Sequence, residues 1–430
     1  TKKTERHKRD KLLRMEATIT DLINASAYGQ NGVPHDLWTH LRKESPVYWY
    51  AQRGHTPFWA ITKHEDIMEV SSQPDIFSSE AGGIIVLNEA QIQSFIEGGS
   101  GSPLAQMKTI ITMDPPEHRA YRKVASGYFT PRGVTNLDEI VKSSAAAIFD
   151  DLPTEGEVDF IEAIAQKHPL RVLATILGID KEQEERLLVI TQELFGSEDP
   201  DMRRGGEDRE TARKELGMEF YMLFDEIIKD RRSCPRDDLA TMLANAELSD
   251  GCPLGQLETL GYYLIVFTAG HDTTRNALSG AISAFLDHPD EFERLRKDPS
   301  LSKAAVDEIV RWTTPVNYMK RQAVQDYELR GQKIKAGEEL ALFYCSANRD
   351  EDVFDDPFTF DITRSPNRHL GFGWAEHYCL GAHLAKASMK ALTEEMVRRI
   401  DWMEPNGERT FISSNFVVGL KTLPVKYKLK

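Results

Sequence analysis

The chain has 430 residues, of which 40% are hydrophobic and 9% aromatic, and this ordinary globular composition excludes a disordered protein. The formal net charge of −15 argues against nucleic acid as the main partner. Four cysteines are too few for a disulfide framework in a chain of this length, so we expect a reducing, cytoplasmic setting. No apolar run approaches the roughly 18–20 residues that span a bilayer, and we expect no membrane association.

The chain begins with a basic, polar stretch, residues 1–14, which lacks the apolar segment of a secretory signal. We expect this stretch to be a mobile tail and residues 15–430 to form a single domain. No internal repeat or low-complexity tract interrupts the rest of the sequence.

Helical periodicity dominates from Pro116 onward and predicts amphipathic helices at 139–152, 161–177, 181–195, 209–232 and 239–246. Strand-like stretches are short and lie toward the two ends of the chain, at 47–50, 58–61, 333–334, 339–344 and 416–427. The sequence therefore predicts a mainly α fold with small peripheral β-sheets.

Two stretches are predicted to be loops, 78–107 and 196–207. Long loops in compact enzymes are commonly lids or binding loops. The first contains the apolar run 84–87, which would be costly to leave in water and is a candidate lid over a binding site.

A long, nearly apolar helix is predicted at 254–287, because no proline interrupts a helix-compatible pattern there. Its middle carries Gly270 and an acid–alcohol pair, Asp272 and Thr273, which are poor residues for a buried helix. Thr273 is expected to bond back to the carbonyl of Ala269. The pattern indicates either a kinked helix with a solvated acid or a place where a small molecule approaches the backbone.

Two further motifs are weak when taken alone. Asp114-Pro-Pro-Glu-His118 precedes Arg122, and the His118–Arg122 pair would suit a carboxylate or phosphate, but this motif by itself favours a solvated basic helix edge. Glu308 and Arg311 lie three residues apart on a helix predicted at 303–312, where an ordinary surface ion pair is the simplest interpretation.

The segment 371–381 places Cys379 on a glycine-bearing turn, directly before a helix predicted at 382–400. A helix N-terminus favours a thiolate and is expected to lower the thiol pKa, which makes Cys379 a candidate metal ligand, for haem iron among others. A zinc site with His369, His377 and His383 is an alternative, but structural zinc sites usually have paired cysteines and only one thiol is present here. A Cys–His nucleophile is another alternative, but no third group that would orient the histidine is apparent.

Taken in order, these segments resemble the cytochrome P450 family of haem-thiolate monooxygenases. The resemblance runs from about residue 20 to the C-terminus. It rests on 372–381, Glu308-x-x-Arg311, 360–364, 269–274 and 114–118 in collinear order. It implies a cytochrome P450 fold whose long central helix lies over haem b, in a form similar to the soluble bacterial, terpineol-hydroxylating members.

The resemblance also implies residue roles. Cys379 is the axial iron ligand, Phe372 packs beside it, and Ala269 lies against the cofactor. Positions that bind haem propionates correspond to His118, Arg122, Arg321 and His377. Glu308, Arg311 and Arg364 correspond to a structural triad, so they hold the fold and do not catalyse.

The implied reaction inserts one oxygen atom of the co-substrate O2 into a C–H bond, since a thiolate ligand favours O–O cleavage. Asp272 and Thr273 would relay protons. The chain carries no flavin or iron–sulfur motif, so we expect a [2Fe–2S] ferredoxin with its NAD(P)H-dependent reductase, docking on a basic patch formed by Lys386, Lys390, Arg398 and Arg399. We expect a monomer.

Pocket positions by resemblance are mainly apolar: Ile265, Thr268, Ala269, Val316, Tyr318, Phe416 and Val417. They predict a compact hydrophobic substrate, a terpenoid first and an aromatic hydrocarbon second. Two other functions would use the same thiolate ligation of haem: a haem-binding sensor and a peroxide-driven enzyme.

One departure from the family pattern stands out. Ala375 occupies a position that is usually glycine, and Glu376 adds a negative charge beside it. Glycine suits a turn with unusual φ, so alanine there is expected to cost up to about 1 kcal/mol.

Overall fold

The computed structural model describes residues 22–89, 91–93, 107–195, 209–248 and 250–430. The predicted tail at 1–14 and the predicted loop at 196–207 lie outside this range, as do residues 90 and 94–106 of the loop predicted at 78–107. The prediction of a single domain from residue 15 therefore stays a prediction.

Helices form most of the described chain. Their bounds are Ala25–Asn31 (α1), His35–Glu44 (α2), His64–Ser71 (α3), Glu117–Ser126 (α4), Pro131–Thr135 (α5), Asp138–Asp150 (α6), Lys167–Ile176 (α7), Lys181–Phe195 (α8), Arg209–Ser233 (α9), Leu239–Ala244 (α10), Gln256–Asp287 (α11), Pro289–Lys297 (α12), Ser302–Thr313 (α13), Tyr344–Ala347 (α14) and Ala382–Arg399 (α15). The predicted mainly α fold is confirmed. None of these helices is long and apolar enough to cross a membrane, among the residues that the structure describes.

The strands are short and form four small sheets. Their bounds are Val47–Tyr50 (β1), Phe58–Ile61 (β2), Phe77–Ser78 (β3), Glu155–Asp159 (β4), Tyr318–Ala323 (β5), Tyr327–Leu329 (β6), Gln332–Ile334 (β7), Glu339–Phe343 (β8), Ile400–Pro405 (β9), Thr410–Phe411 (β10), Leu420–Thr422 (β11) and Pro424–Leu429 (β12). The largest sheet has the order β1-β2-β8-β5-β3, with β2 and β8 parallel and the other pairs antiparallel.

The long helix α11 runs through the largest hydrophobic cluster and contacts α7, α13 and α15. Most of its residues are buried, which fits its nearly apolar sequence. Two smaller clusters lie around the five-stranded sheet. The central helix therefore has protein on several sides and is a rigid support for any site along it.

Three sequence predictions differ from the structure. The helix expected at 161–177 is a π-helical turn, Ile161–Ala165, followed by α7, because Gln166 donates its N–H to Ile161. The strand expected across 416–427 is two strands, β11 and β12, and 416–419 only forms the isolated bridge Val316↔Val417. Strand β5 was missed, since Lys320 and Arg321 break the apolar alternation that marks a strand, yet both are buried.

The Glu308–Arg311 pair on α13 is fully buried, so its interpretation as a surface ion pair is wrong. Arg311 donates to both carboxylate oxygens of Glu308 at 2.7 Å and to the carbonyls of Asn348 and Pro357. Arg364 lies 3.3 Å from the same carboxylate. The three side chains thus connect α13 to the long segment that leads to Cys379.

Candidate active site

The turn that carries Cys379 is fixed by its own backbone. The N–H of Cys379 donates to the carbonyl of Phe372 at 2.8 Å, and the N–H of Tyr378 donates to Ala375 at 3.0 Å. Helix α15 begins three residues after the cysteine, at Ala382. This closed loop holds the thiol at one place beside the first turn of a helix.

Ala375 has φ of 55°, in the left-handed region that side chains other than glycine rarely adopt. The sequence argument that this position suits glycine is therefore confirmed. The alanine lies on the surface, so the cost is in the backbone and not in packing.

Burial raises the pKa of the Cys379 thiol, while a backbone hydrogen bond at Gly381 and the Arg122 guanidinium lower it to a smaller extent. The expectation that the helix N-terminus alone would lower the pKa is wrong, because the cost of burying a charge is larger than the attraction of the helix. A bound metal ion removes this cost, since a coordinating thiol is deprotonated outright.

Phe372 lies beside this thiol in the folded loop. Its ring packs against the large hydrophobic cluster, and the ammonium of Lys386 lies 5.3 Å from the ring centroid. The ring therefore covers one side of the loop, and its predicted place beside a cysteine-ligated iron stays a prediction.

The four predicted propionate residues come together from three parts of the chain. The rings of His118 and His377 are 4.3 Å apart, and Arg122 donates to the carbonyl of Tyr378 at 2.5 Å. Burial lowers the pKa of His377 to about 2, with Arg321, His118 and Arg122 as positive neighbours that lower it further. The guanidinium groups of Arg122 and Arg321 beside the two imidazoles make a cradle for an anion.

Among the described residues, one buried nitrogen of this cradle lacks a hydrogen-bond partner and one buried cation lacks a counter-ion. Nε2 of His118 has no hydrogen-bond partner, although the side chain is buried. Arg321 is only 5% exposed and donates to the carbonyl of Lys320, with no carboxylate at ion-pair distance in the described part of the chain. Buried charges are normally paired, so the cradle fits the carboxylates of a haem, and the solvated basic edge is excluded.

Sequence reasoning missed two residues that support this cradle. Ser79 places its hydroxyl 3.1 Å from Nε2 of His377, and its N–H donates to Asp114 at 2.8 Å. Arg119 holds the carboxylate of Glu376 with two hydrogen bonds, of 2.9 and 3.1 Å. Arg119 could have been suggested from the sequence, because it is adjacent to His118 in the motif. No sequence pattern marks Ser79.

The central helix presents an accessible strip in its middle. Ile265 and Thr273 are half-buried and Ala269 is exposed, although Phe267, Thr268, His271 and Asp272 around them are buried. The spacing of four residues puts the three on one face. A planar cofactor and a substrate need such a face, so the strip fits both predicted roles of Ala269.

Thr273 donates its hydroxyl to the carbonyl of Ala269 at 2.7 Å, as predicted. Asp272 is buried and its Oδ2 has no hydrogen-bond partner among the described residues. Its Oδ1 lies 3.3 Å from Nδ1 of His271. The interpretation as a solvated acid on a kinked helix is wrong, because this carboxylate is held inside the protein.

The predicted pocket residues lie on both sides of the site. Ile265 packs against the large cluster around α11, whereas Tyr318 and Phe416 belong to the second cluster and Val316 to the third. The rings of Tyr318 and Phe416 are 5.4 Å apart, and Val417 forms the bridge to Val316. The hydroxyl of Tyr318 accepts from the N–H of Val86, which brings the candidate lid to the same wall.

The predicted basic patch is neutralised within the protein. Each of its cations forms an ion pair: Lys386 with Asp307, Lys390 with Glu394, Arg398 with Glu395, and Arg399 with Asp150 and Glu395. The patch prediction counted only the cations: Glu394 and Glu395 on the same helix pair with three of them, and Asp307 and Asp150 from neighbouring helices pair with Lys386 and Arg399. The zinc alternative also fails: the described residues contain no group of three or more His, Cys, Asp or Glu that could hold a metal ion.

The thiol on its closed loop and the cradle beside it fit a planar, anionic cofactor of the kind that haem-thiolate enzymes hold. A sequence model described as "Cytochrome P450" matches residues 200–430. The chain is 38% identical over 413 residues to "Cytochrome P450-terp" from a Pseudomonas species, covering 94% of this chain and 96% of that protein. It is 37% identical over 409 residues to "Linalool 8-monooxygenase" from Pseudomonas putida, covering 94% and 98%.

Solved structures agree. The crystal structure of CYP108D1 from Novosphingobium aromaticivorans superposes with a TM-score of 0.87 at 34% identity, covering 96% of this chain and 98% of that one. The chain belongs to the cytochrome P450 family and is similar to its bacterial, terpene-hydroxylating members. It is a monooxygenase with haem b as cofactor and O2 as co-substrate, and it takes a small substrate and electrons from redox partners.

Proposed function

We propose that this monooxygenase hydroxylates a compact terpenoid. The observation that carries the proposal is that hydroxyl groups among the predicted pocket residues are already bonded within the protein. Thr268 donates to the carbonyl of Leu264 at 2.6 Å, and the hydroxyl of Tyr318 is within 3.4 Å of Oδ1 of Asn415. The remaining wall is apolar, so it selects by shape and buried area. One relative is named "Cytochrome P450-terp" and another "Linalool 8-monooxygenase". These names favour a terpenoid over an aromatic hydrocarbon.

We propose that Cys379 ligates the haem iron and that the cradle of His118, Arg122, Arg321 and His377 binds the propionates. The haem, when bound, activates O2. The residues of the chain hold it: Phe372 packs on the thiolate side, and Ala269 leaves room on the other. The small methyl group is important there, because a larger side chain at the middle of the strip would cover the face.

We propose that Asp272 and Thr273 relay protons to the dioxygen side of the site. Thr273 places a hydroxyl on the accessible strip, with its hydrogen directed at Ala269 and its oxygen free to accept. Asp272 lies in the protein interior with one unpartnered oxygen, so it is able to exchange a proton after a side-chain rotation. The pair supplies an acid and an alcohol without opening the site to bulk water.

We further propose a [2Fe–2S] ferredoxin with its NAD(P)H-dependent reductase as the electron source, acting on a monomer in the cytoplasm. The four free cysteines support the reducing setting. We propose that the partner docks on the Cys379 loop itself, where Trp374 and Tyr378 are 41% and 37% exposed. Lys123 on α4 and Arg132 on α5 are exposed and have no carboxylate at ion-pair distance among the described residues.

Docking is tested by stopped-flow reduction with a [2Fe–2S] ferredoxin at several salt concentrations. Lys123→Glu should slow reduction and flatten its salt dependence, since an unpaired cation steers an acidic partner. Lys386→Gln is the matched control and should change little, because Asp307 already neutralises this lysine. Equal effects of the two variants would contradict the assignment of the docking face.

Substrate class is tested by spectroscopic titration of the ferric protein with a panel of terpenes and size-matched aromatic hydrocarbons. We expect displacement of water from the iron, seen as a spin-state change, with terpenes binding more tightly. Tighter binding of the aromatic hydrocarbons would contradict the proposal of a terpenoid substrate.

A further inference from the structure

Glu376 is the one carboxylate that contacts the propionate cradle from the Cys379 loop. Its Oε1 lies 3.3 Å from Nδ1 of His118, and both of its oxygens accept from Arg119. Glu376 thus connects the loop that carries the cysteine to the start of α4, where the motif histidine is located.

The two contacts of Glu376 differ in their surroundings. The side chain of His118 is 1% exposed and that of Arg119 is 65% exposed. Hydrogen bonds to a charged group are strong when buried, and exposed ion pairs contribute little. Arg119 stabilises the charged form of Glu376 most, since it is the largest cause of the lowered pKa of this carboxyl, and the contact with His118 is the one that links the carboxylate to the buried cradle.

The orientation of the His118 ring follows from this contact. Nδ1 is engaged by Glu376, so Nε2 is the atom left over, and it is buried without a partner among the described residues. The ring also packs against His377 in a tilted arrangement, with centroids 4.3 Å apart, which limits rotation about its side-chain bonds. An imidazole between two carboxylates, Glu376 at Nδ1 and a propionate at Nε2, would share its protons with both.

We propose that Glu376 is a positioning residue for the haem, acting through His118: its carboxylate fixes the imidazole so that Nε2 faces a propionate. This rests on the proposed role of His118. It also gives a role to the negative charge of Glu376, which follows directly on the left-handed turn at Ala375. The turn directs Glu376 toward α4, where both partners lie.

The proposal is tested by the rate of haem transfer from the holoprotein to excess apomyoglobin. Glu376→Gln keeps the shape and removes the charge, and we expect haem loss about tenfold faster, equivalent to about 1.4 kcal/mol. Glu395→Gln is the matched control and should change the rate less than about threefold, because this carboxylate has the same 19% exposure as Glu376 but pairs with Arg398 and Arg399 instead of His118. In a His118→Gln background, Glu376→Gln should change the rate of haem loss less than about twofold, because the imidazole that Glu376 positions is absent.

A second readout separates positioning from a merely structural role. Removal of a negative charge near the haem edge should shift the reduction potential of Glu376→Gln to a more positive value, with urea unfolding of the protein unchanged. Wild-type-like haem loss and potential in Glu376→Gln would overturn the proposal, as would an undiminished effect in the His118→Gln background. If the wild-type protein itself held no haem, the proposed function would fail instead.

Discussion

Replacing Glu308 by glutamine should destabilise the protein strongly, although this residue is remote from the reacting atoms. Its carboxylate accepts from Arg311 twice, from the N–H of Asp361 at 3.0 Å and from Asn367 at 3.0 Å. Glutamine would turn one acceptor into a donor facing these donors and leave Arg311 buried without a counter-ion.

The expected cost follows from burial. Both side chains of the Glu308–Arg311 pair are 0% exposed, and removing one partner of a buried ion pair costs about 3–5 kcal/mol. Total stability of a folded domain is about 5–15 kcal/mol, so this loss is a large fraction of it. We expect a clearly lower urea midpoint for Glu308→Gln, with weaker haem retention because α13 supports the segment leading to Cys379.

The assay is urea unfolding of the holoprotein followed by circular dichroism and haem absorbance. Glu293→Gln is the matched control, since Glu293 pairs with Arg296 at the same i,i+3 spacing but its side chain is 47% exposed. This control should lose less than about 1 kcal/mol. Equal midpoints for the two variants would refute the reasoning from burial.

The remaining predictions concern the site, the turn and the pH dependence of stability. Thr273→Ala should divert electrons from product to peroxide while Thr273→Ser retains coupling, measured as product and peroxide per NAD(P)H; unchanged coupling in Thr273→Ala would exclude the relay. Ala375→Gly should stabilise the protein by about 0.5 kcal/mol, because relief of the φ of 55° outweighs the added freedom of the unfolded chain; a lower urea midpoint would contradict this. Burial lowers the pKa of His168 to about 4, so the unfolded state binds a proton first, and stability should fall as pH drops from about 6.5 to 4. His168→Asn should reduce that acid sensitivity, and an identical pH profile would show that another group causes it.

The fold could be predicted where one physical signal dominates. The central helix and α15 followed from uninterrupted periodicity, and α8 begins and ends where the pattern predicted. Strand β5 could not be predicted, because its buried Lys320 is paired with Glu339 on β8, a neighbour that is distant in sequence. Burial of charged residues depends on such tertiary partners, which local patterns do not contain.

The candidate site was also predictable only in part. Cys379, His118 and the acid–alcohol pair were identified from spacing and resemblance, and the left-handed turn at Ala375 from the properties of glycine. The role of Glu376 was not predictable, because Arg119 lies 257 residues away along the chain. The neutralised basic patch shows the same limit for charge, since Lys386 is paired by Asp307 from another helix.

The central claim, that Cys379 holds haem as a thiolate, is tested most directly by the absorption spectrum of the reduced protein with carbon monoxide. The wild-type protein should show the long-wavelength Soret band typical of thiolate ligation, and Cys379→His should lose that band while still binding haem through the cradle. A wild-type spectrum like that of a histidine-ligated haem, or a Cys379→His spectrum unchanged from the wild type, would contradict the account.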